Sequence, residues 1–304
     1  MGDRVAIDMD LVRERMLAFA ADNNVKVLLA VESGSRGWGF PGKDSDWDCR
    51  FMFVRPKEAY LSVYQQPEQL NYKDDEYGGD LDIIGWDIRK VLRCAAQGNV
   101  VMAEWAQSPV VYYDEGDDFR DYLLEAAVHP WYRRSEALTA YLGMAGNAAS
   151  SARRGVSEHD RQSEEGLPWS AGSLRSLPSK KFLYYVRTIL AASWAESGRP
   201  VPDMNIVGLL KGLEERSPWY HKHAADIMRL VNEKAFLREK DLFSTPVQEG
   251  TLRMLYGMEQ LALSATFAEH HKAQSEPLPP VSRQEVDSVF FDILRRHAPA
   301  LVEV

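Results

Sequence analysis

Three short runs of β-branched and aliphatic residues stand in the first third of the chain: Val25–Val31 (VKVLLAV), Trp47–Val54 (WDCRFMFV) and Leu81–Trp86 (LDIIGW). Each is too short for a stable helix and is followed by turn formers or a change of period, so each reads as a strand. An amphipathic helix precedes them, with Val12, Met16, Phe19 and Ala20 at helical spacing up to Asn23-Asn24; another starts at Ile88, Val91, Leu92 and Ala95. From His129 onward only helical periods remain: Trp131–Arg154, Pro178–Glu196, Asp203–Glu215, Trp219–Leu237, Thr251–Lys272 and Arg283–Arg296. Ser282 with Glu285 forms a capping-box pattern at the start of the last helix. The polar stretch Gly155–Gly172 reads as a loop within this half. Strands among helices first, then helices alone, predict an α+β chain. A small mixed-sheet domain is expected over residues 1–125 and an all-helical domain over 126–304.

Composition narrows the function. A 45% hydrophobic fraction supplies a full core, and a net charge of −9 argues against coating long nucleic acid by bulk electrostatics. Any nucleic-acid contact must be local. Cys49 and Cys94 form neither a metal spacing nor a disulfide framework. No run approaches the roughly 18 apolar residues of a membrane span, and Met1–Asp10 lacks a signal-like apolar stretch. A reducing cytoplasm is the expected setting.

The chemistry concentrates in Ser33–Phe53, SGSRGWGFPGKDSDWDCRFMF. The first strand runs out into Ser33-Gly34-Ser35. Glycine lets the backbone approach a ligand, amides at a following helix start point toward anions, and the hydroxyls add donors. That suits the outer phosphates of a nucleoside triphosphate. Asp46 and Asp48 follow at i and i+2 on a strand start, so both carboxylates face one side, with Cα atoms roughly 6.5–7 Å apart. Paired hard oxygen donors suit Mg²⁺ or Mn²⁺ in two-metal phosphoryl transfer. Asp44, in the preceding loop, reads as a turn former. Two later aspartates, Asp82 and Asp87, have opposite strand parity, so at most one faces the same site. Asp87 reads either as a helix N-cap or as a hydrogen-bonding group near the site.

Gly34-Ser35 followed by Asp46-x-Asp48 resembles the signature of the DNA polymerase β superfamily of nucleotidyltransferases. A closer resemblance is to the bacterial and phage branch of predicted nucleotidyltransferases associated with RNA repair. It rests on Ser33–Arg50, Asp82–Lys90, and Gly98-Asn99 through Glu104-Trp105 to Ser108-Pro109, with Ser179–Arg187 (SKKFLYYVR) as a later segment. The motifs cover about half the chain and are specific in combination. The resemblance implies a polymerase β-like fold for the first domain, an NTP co-substrate and an RNA acceptor. It makes Asp46, Asp48 and Asp82 the catalytic, metal-holding set, favouring Asp82 over Asp87. Ser33, Gly34, Ser35 and Arg36 would hold the nucleotide phosphates, and Lys181 and Arg187 would reach the nucleotide from the helical half.

Each sharp reading has a bland one beside it. Gly-Ser alone is a turn, and DxD alone a solvated strand edge. Arg50 shares strand parity with Asp46 and Asp48, and its bland reading is that it balances their charge. Lys180, Tyr184 and Arg187 share a helix face that is otherwise a solvated basic stripe. Asn99 and Glu104 read as structural, and His221, His223, His270 and His271 as surface residues. Three functions follow: nucleotidyl transfer to RNA, the same transfer to a protein or to a small molecule such as an aminoglycoside, and nucleotide sensing without turnover.

Overall fold

In the computed structural model, residues 7–72, 77–153, 169–215, 218–275 and 280–299 are described. The chain divides into two compact units. The first comprises Met1–Gly37, Asp46–Tyr132 and Pro279–Val304; the second comprises Trp38–Ser45 and Arg133–Leu278.

The first unit opens with α1 (Met9–Asp22), capped by the Asp8 side chain on the Leu11 amide. Strand β1 (Lys26–Glu32) leads through the single turn α2 (Ser35–Trp38) toward β2 (Trp47–Val54). Then come α3 (Lys57–Leu61), β3 (Gln69–Asn71), β4 (Leu81–Asp87), α4 (Ile88–Ala96), α5 (Val100–Ala106), β5 (Val111–Asp114) and α6 (Phe119–Leu123). The five strands form one sheet in the order β3-β4-β2-β1-β5. Only β2 and β4 run parallel; the other neighbours are antiparallel, so the sheet is mixed, as expected. Neither β3 nor β5 was expected from the sequence, where β3 falls in a polar stretch and β5 runs on from a helix.

Alternation along β2 sorts the two faces. Cys49, Phe51 and Phe53 pack with Leu81 and Ile83 of β4 and with Val12, Met16 and Ala20 of α1. Burying each phenylalanine contributes about 1.5–3 kcal/mol. Gly85 is required here, because a Cβ would lie 2.2 Å from Phe51 Cζ. Side chains of the other parity, Asp48, Arg50 and Asp82, leave the opposite face. On α4, Ile88, Val91, Leu92 and Ala95 are buried at i, i+3, i+4 and i+7.

The second unit is helical: α7 (Arg134–Arg153), α8 (Trp169–Gly172), α9 (Ser179–Glu196), α10 (Ile206–Glu214), α11 (Pro218–Lys234) and α12 (Glu249–Ser275). Its core includes Tyr141, Phe182, Leu183 and Tyr185. The stretch expected as a loop over Gly155–Gly172 lies outside the described residues up to 168, and its described end, Trp169–Gly172, is helical rather than loop. The segment Trp38–Ser45 is fastened in this unit: Phe40 is buried, Lys43 N–H donates to Leu237 O at 3.1 Å, and Glu239 N–H donates to Asp44 Oδ1 at 2.9 Å. The last helix, α13 (Arg283–His297), carries the expected capping box and returns to the first unit, where Tyr122 O–H donates to Asp292 Oδ2 at 2.7 Å. His223 corrects one expectation. It is buried rather than on the surface, since it shares a face of α11 with Ala224 and Ile227 and meets Gly250.

Candidate active site

The parallel register sets Asp48 directly beside Asp82. Residues paired across neighbouring strands share a face, so both carboxylates leave the sheet on one side. Asp48 Oδ1 and Asp82 Oδ2 accept from the same atom, Arg50 Nη2, at 3.3 and 2.7 Å. The other end of that guanidinium, Nη1, donates to the Cys49 and Asp82 carbonyls at 3.0 and 3.1 Å. Two oxygens from two strands thus converge on one centre of positive charge. The Asp82 side chain is 44% exposed and that of Asp48 25%, so both reach solvent.

The glycine loop lies against this pair. A Cβ at Gly34 would sit 1.9 Å from Asp48 Oδ2, so only glycine permits the approach. Ser33 N–H donates to Asp48 O at 2.9 Å, tying the loop to the strand that carries the acid. Ser33 is half-buried, Ser35 buried, and both flank Gly34 at the entry to α2. The Arg36 guanidinium stacks 3.9 Å above the Trp47 ring, which fixes its direction. Asp46 stands one residue ahead of β2.

Asp87 has gone elsewhere. It pairs in register with Phe53, is fully buried, and caps α4 by accepting from Arg89 N–H at 2.9 Å. Burial pushes its carboxyl above the ordinary value, opposed by the bonds from Arg89 and the charges of Arg89 and Arg55. Asn99 caps α5 in the same manner, on the Val101 amide.

Lys181 and Arg187 belong to the second unit. Lys181 is exposed on α9. Arg187 is 1% exposed, with its guanidinium 5.0 Å from the Trp38 ring and 5.4 Å from the Tyr184 ring. Lys180 pairs with Glu239 and is half-buried.

One functional candidate escaped the sequence reading. Glu32 closes β1, is completely buried, and sits beneath the loop. Its carboxylate accepts from Gly34 N–H at 2.9 Å, from Asp48 N–H at 3.2 Å and from Tyr112 O–H at 2.6 Å. Burial raises its pKa, while the Tyr112 hydroxyl and the two amides work the other way. The available signal was an acid ending an aliphatic run immediately before a glycine loop.

Among the described residues no group of three His, Cys, Asp or Glu side chains is arranged to hold a metal. The Asp48–Asp82 pair nonetheless fits a hard cation: two carboxylate oxygens already share one positive atom at a solvent-reaching position. No helix of the described residues is long and apolar enough to cross a membrane.

The acidic pair and the Gly-Ser loop against it thus stand together on the small mixed sheet of the first unit. The chain belongs to the RNA repair pathway DNA polymerase beta family, RlaP, whose sequence model matches residues 9–292. It is 33% identical over 192 residues to the uncharacterized protein YcgL of Bacillus subtilis (strain 168), a match covering 62% of this chain and 64% of that relative, under two thirds of its length. A solved nucleotidyltransferase-like protein from Exiguobacterium sibiricum 255-15 aligns over 97% of this chain and 89% of its own, at 14% identity and a TM-score of 0.35.

Proposed function

We propose that the chain transfers a nucleoside monophosphate from an NTP to a hydroxyl of an RNA end, with Mg²⁺ or Mn²⁺ as cofactor. The observation that carries this reading is the convergence of Asp48 and Asp82 on one cationic centre, with Gly34 packed on the Asp48 carboxylate. Asp46, Asp48 and Asp82 supply the oxygen donors for the metal. A bound divalent cation supplies Lewis-acid activation of the acceptor hydroxyl and neutralises charge on the leaving pyrophosphate.

The protein's own groups do the rest. Gly34 keeps the loop low over Asp48, so the hydroxyls of Ser33 and Ser35 and the Arg36 guanidinium meet the outer phosphates. Arg50 holds the two carboxylates at a fixed separation. Lys181 and Arg187 are assigned to the nucleotide from the helical unit, on the family resemblance of their segment. The acceptor hydroxyl gives up its proton to solvent, its oxygen bonds to the α-phosphorus, the bond between that phosphorus and the α–β bridging oxygen breaks, and pyrophosphate departs. The RNA acceptor rests on the family, which is described as an RNA repair pathway family.

A second acceptor class is favoured by one observation: the net charge of −9 suits a cationic small molecule better than a polyanion. One assay separates the two. The protein is incubated with each α-labelled NTP, Mg²⁺ or Mn²⁺, total cellular RNA and, in a parallel arm, an aminoglycoside. Label is expected in RNA. Label only in the small molecule would reject the RNA acceptor. Equal incorporation by Asp48→Asn would reject the active site itself.

A further inference from the structure

We infer that Glu32 is a positioning residue, whose buried carboxylate locks the glycine loop and the Asp48 strand into one arrangement, with Tyr112 and Ser108 as its anchors. The inference rests on the metal-site reading above.

Directly paired residues share a sheet face, and Glu32 pairs with Cys49, so its side chain leaves the sheet opposite the Asp48 carboxylate. From behind, it binds donors on three separate segments: the loop through Gly34 N–H, β2 through Asp48 N–H, and β5 through the Tyr112 hydroxyl. Its main chain is held as well. Glu32 N–H donates to Val110 O at 3.0 Å, and Ser108 Oγ donates to Glu32 O at 2.6 Å. Ser33 N–H still makes a ladder bond to Asp48 O, but the chain then turns away into the loop. The Glu32 carboxylate takes the Asp48 amide at the point where β1 leaves the ladder.

An acid is an expensive choice for a fully buried strand end. A purely structural role there would be served by an aliphatic residue on a longer strand. What a carboxylate adds is capacity for several donors at once, without offering a donor of its own. All three partners named above are donors. The result is one rigid link between the element that would meet phosphates and the backbone of the residue that would meet the metal. It also accounts for Ser108, at the end of the Gly98–Pro109 motif run, and for Tyr112 on β5, neither of which the transfer chemistry otherwise uses.

Glu32→Gln keeps the shape but places an N–H₂ among donors. Tyr112→Phe removes one anchor and keeps the ring. Binding of Mn²⁺ with ATP is followed by electron paramagnetic resonance, alongside thermal unfolding and the kcat and KM of label transfer. Removing partners that orient metal ligands typically weakens metal binding by about 10- to 100-fold. Glu32→Gln is expected to fold and to bind Mn²⁺ about tenfold more weakly, with kcat falling more than KM changes. Tyr112→Phe should move the same way by a smaller factor, and the double variant should lose no more than Glu32→Gln alone, because one device is being dismantled. A Glu32→Gln protein that melts earlier yet binds Mn²⁺ like the wild type would reduce Glu32 to a core group and overturn the inference. If Glu32→Gln does not fold, unchanged Mn²⁺ affinity in folded Tyr112→Phe overturns it instead. Asp48→Asn serves as the reference: if it binds Mn²⁺ as well as the wild type, the metal site itself is wrong, and the positioning claim goes with it.

Discussion

The two ends of the β2–β4 pair carry the same residue type to opposite ends. Where the pair begins, Asp82 stands beside Asp48, 44% exposed, with Arg50 between them. Where it finishes, Asp87 lies beside Phe53, fully buried, with its oxygen on the first turn of α4. Five residues along one strand reverse the parity and exchange solvent for core. An aspartate on this sheet therefore becomes a candidate ligand or a structural cap according to the face it leaves. Carboxylates at the open end keep their charge accessible for chemistry. The buried one spends it on an amide hydrogen and two arginines.

The sharpest way to break this contrast is to neutralise each acid in turn. Asp48→Asn or Asp82→Asn should lower nucleotidyl transfer on the order of 10³-fold, about 4 kcal/mol of barrier, while leaving the urea midpoint near the wild-type value. Asp87→Asn should do the reverse and leave transfer within roughly threefold. Equal loss of activity in all three would erase the distinction between the two ends.

Gly34→Ala probes the open end without touching charge. Its Cβ would meet Asp48 Oδ2 at 1.9 Å, and the obstacle is a carboxylate held by Arg50, so the loop must lift or the acid must turn. A displacement of about 1 Å at a reacting centre costs roughly 10²-fold in rate, and overpacking a tight contact costs about 1–3 kcal/mol of stability. Transfer assays with denaturant curves on the same preparation measure both. Wild-type rates in this variant would mean that the loop and the acid do not act together.

How far the sequence carries this contrast depends on which physics each element uses. Strand β2 is legible to the residue, Trp47–Val54, because its apolar run is bounded by polar turn residues on one side and Arg55-Pro56 on the other. The Gly34–Asp48 proximity was expected from the motif. Parity alone said that at most one of Asp82 and Asp87 faces the site; the preference for Asp82 came from the family resemblance. Which parity faces Asp48 depends on register with β2, and register is a property of two strands together. Glu32 was missed for a related reason. An acid at the end of VKVLLAV reads as the polar boundary of a strand, and its three donors come from segments as distant as Tyr112. Strand β5 is short and gains its place by pairing with β1, a tertiary contact that propensity does not encode.

At the closed end, Asp87→Ala should cost about 1–2 kcal/mol, the usual loss on removing a helix N-cap, read from urea unfolding at constant slope. The smallest effect is its pH dependence, and its sign follows from burial. The folded carboxyl titrates above the ordinary value of 3.8, so between that value and the raised one the folded protein holds a proton that the unfolded chain has released. Stability from this group is complete below the unfolded pKa and falls as pH rises through the folded one. The loss is shallower than the limiting slope of about 1.4 kcal/mol per pH unit for one whole proton. Asp87→Asn has no such proton, so its stability should stay flatter over the same interval, and the wild type's advantage should shrink as pH rises. Stability curves at closely spaced pH test this directly. A wild-type advantage that instead grows with pH would mean that Arg89 and Arg55 outweigh burial. The closed end would then hold an anion stabilised by its two arginine partners.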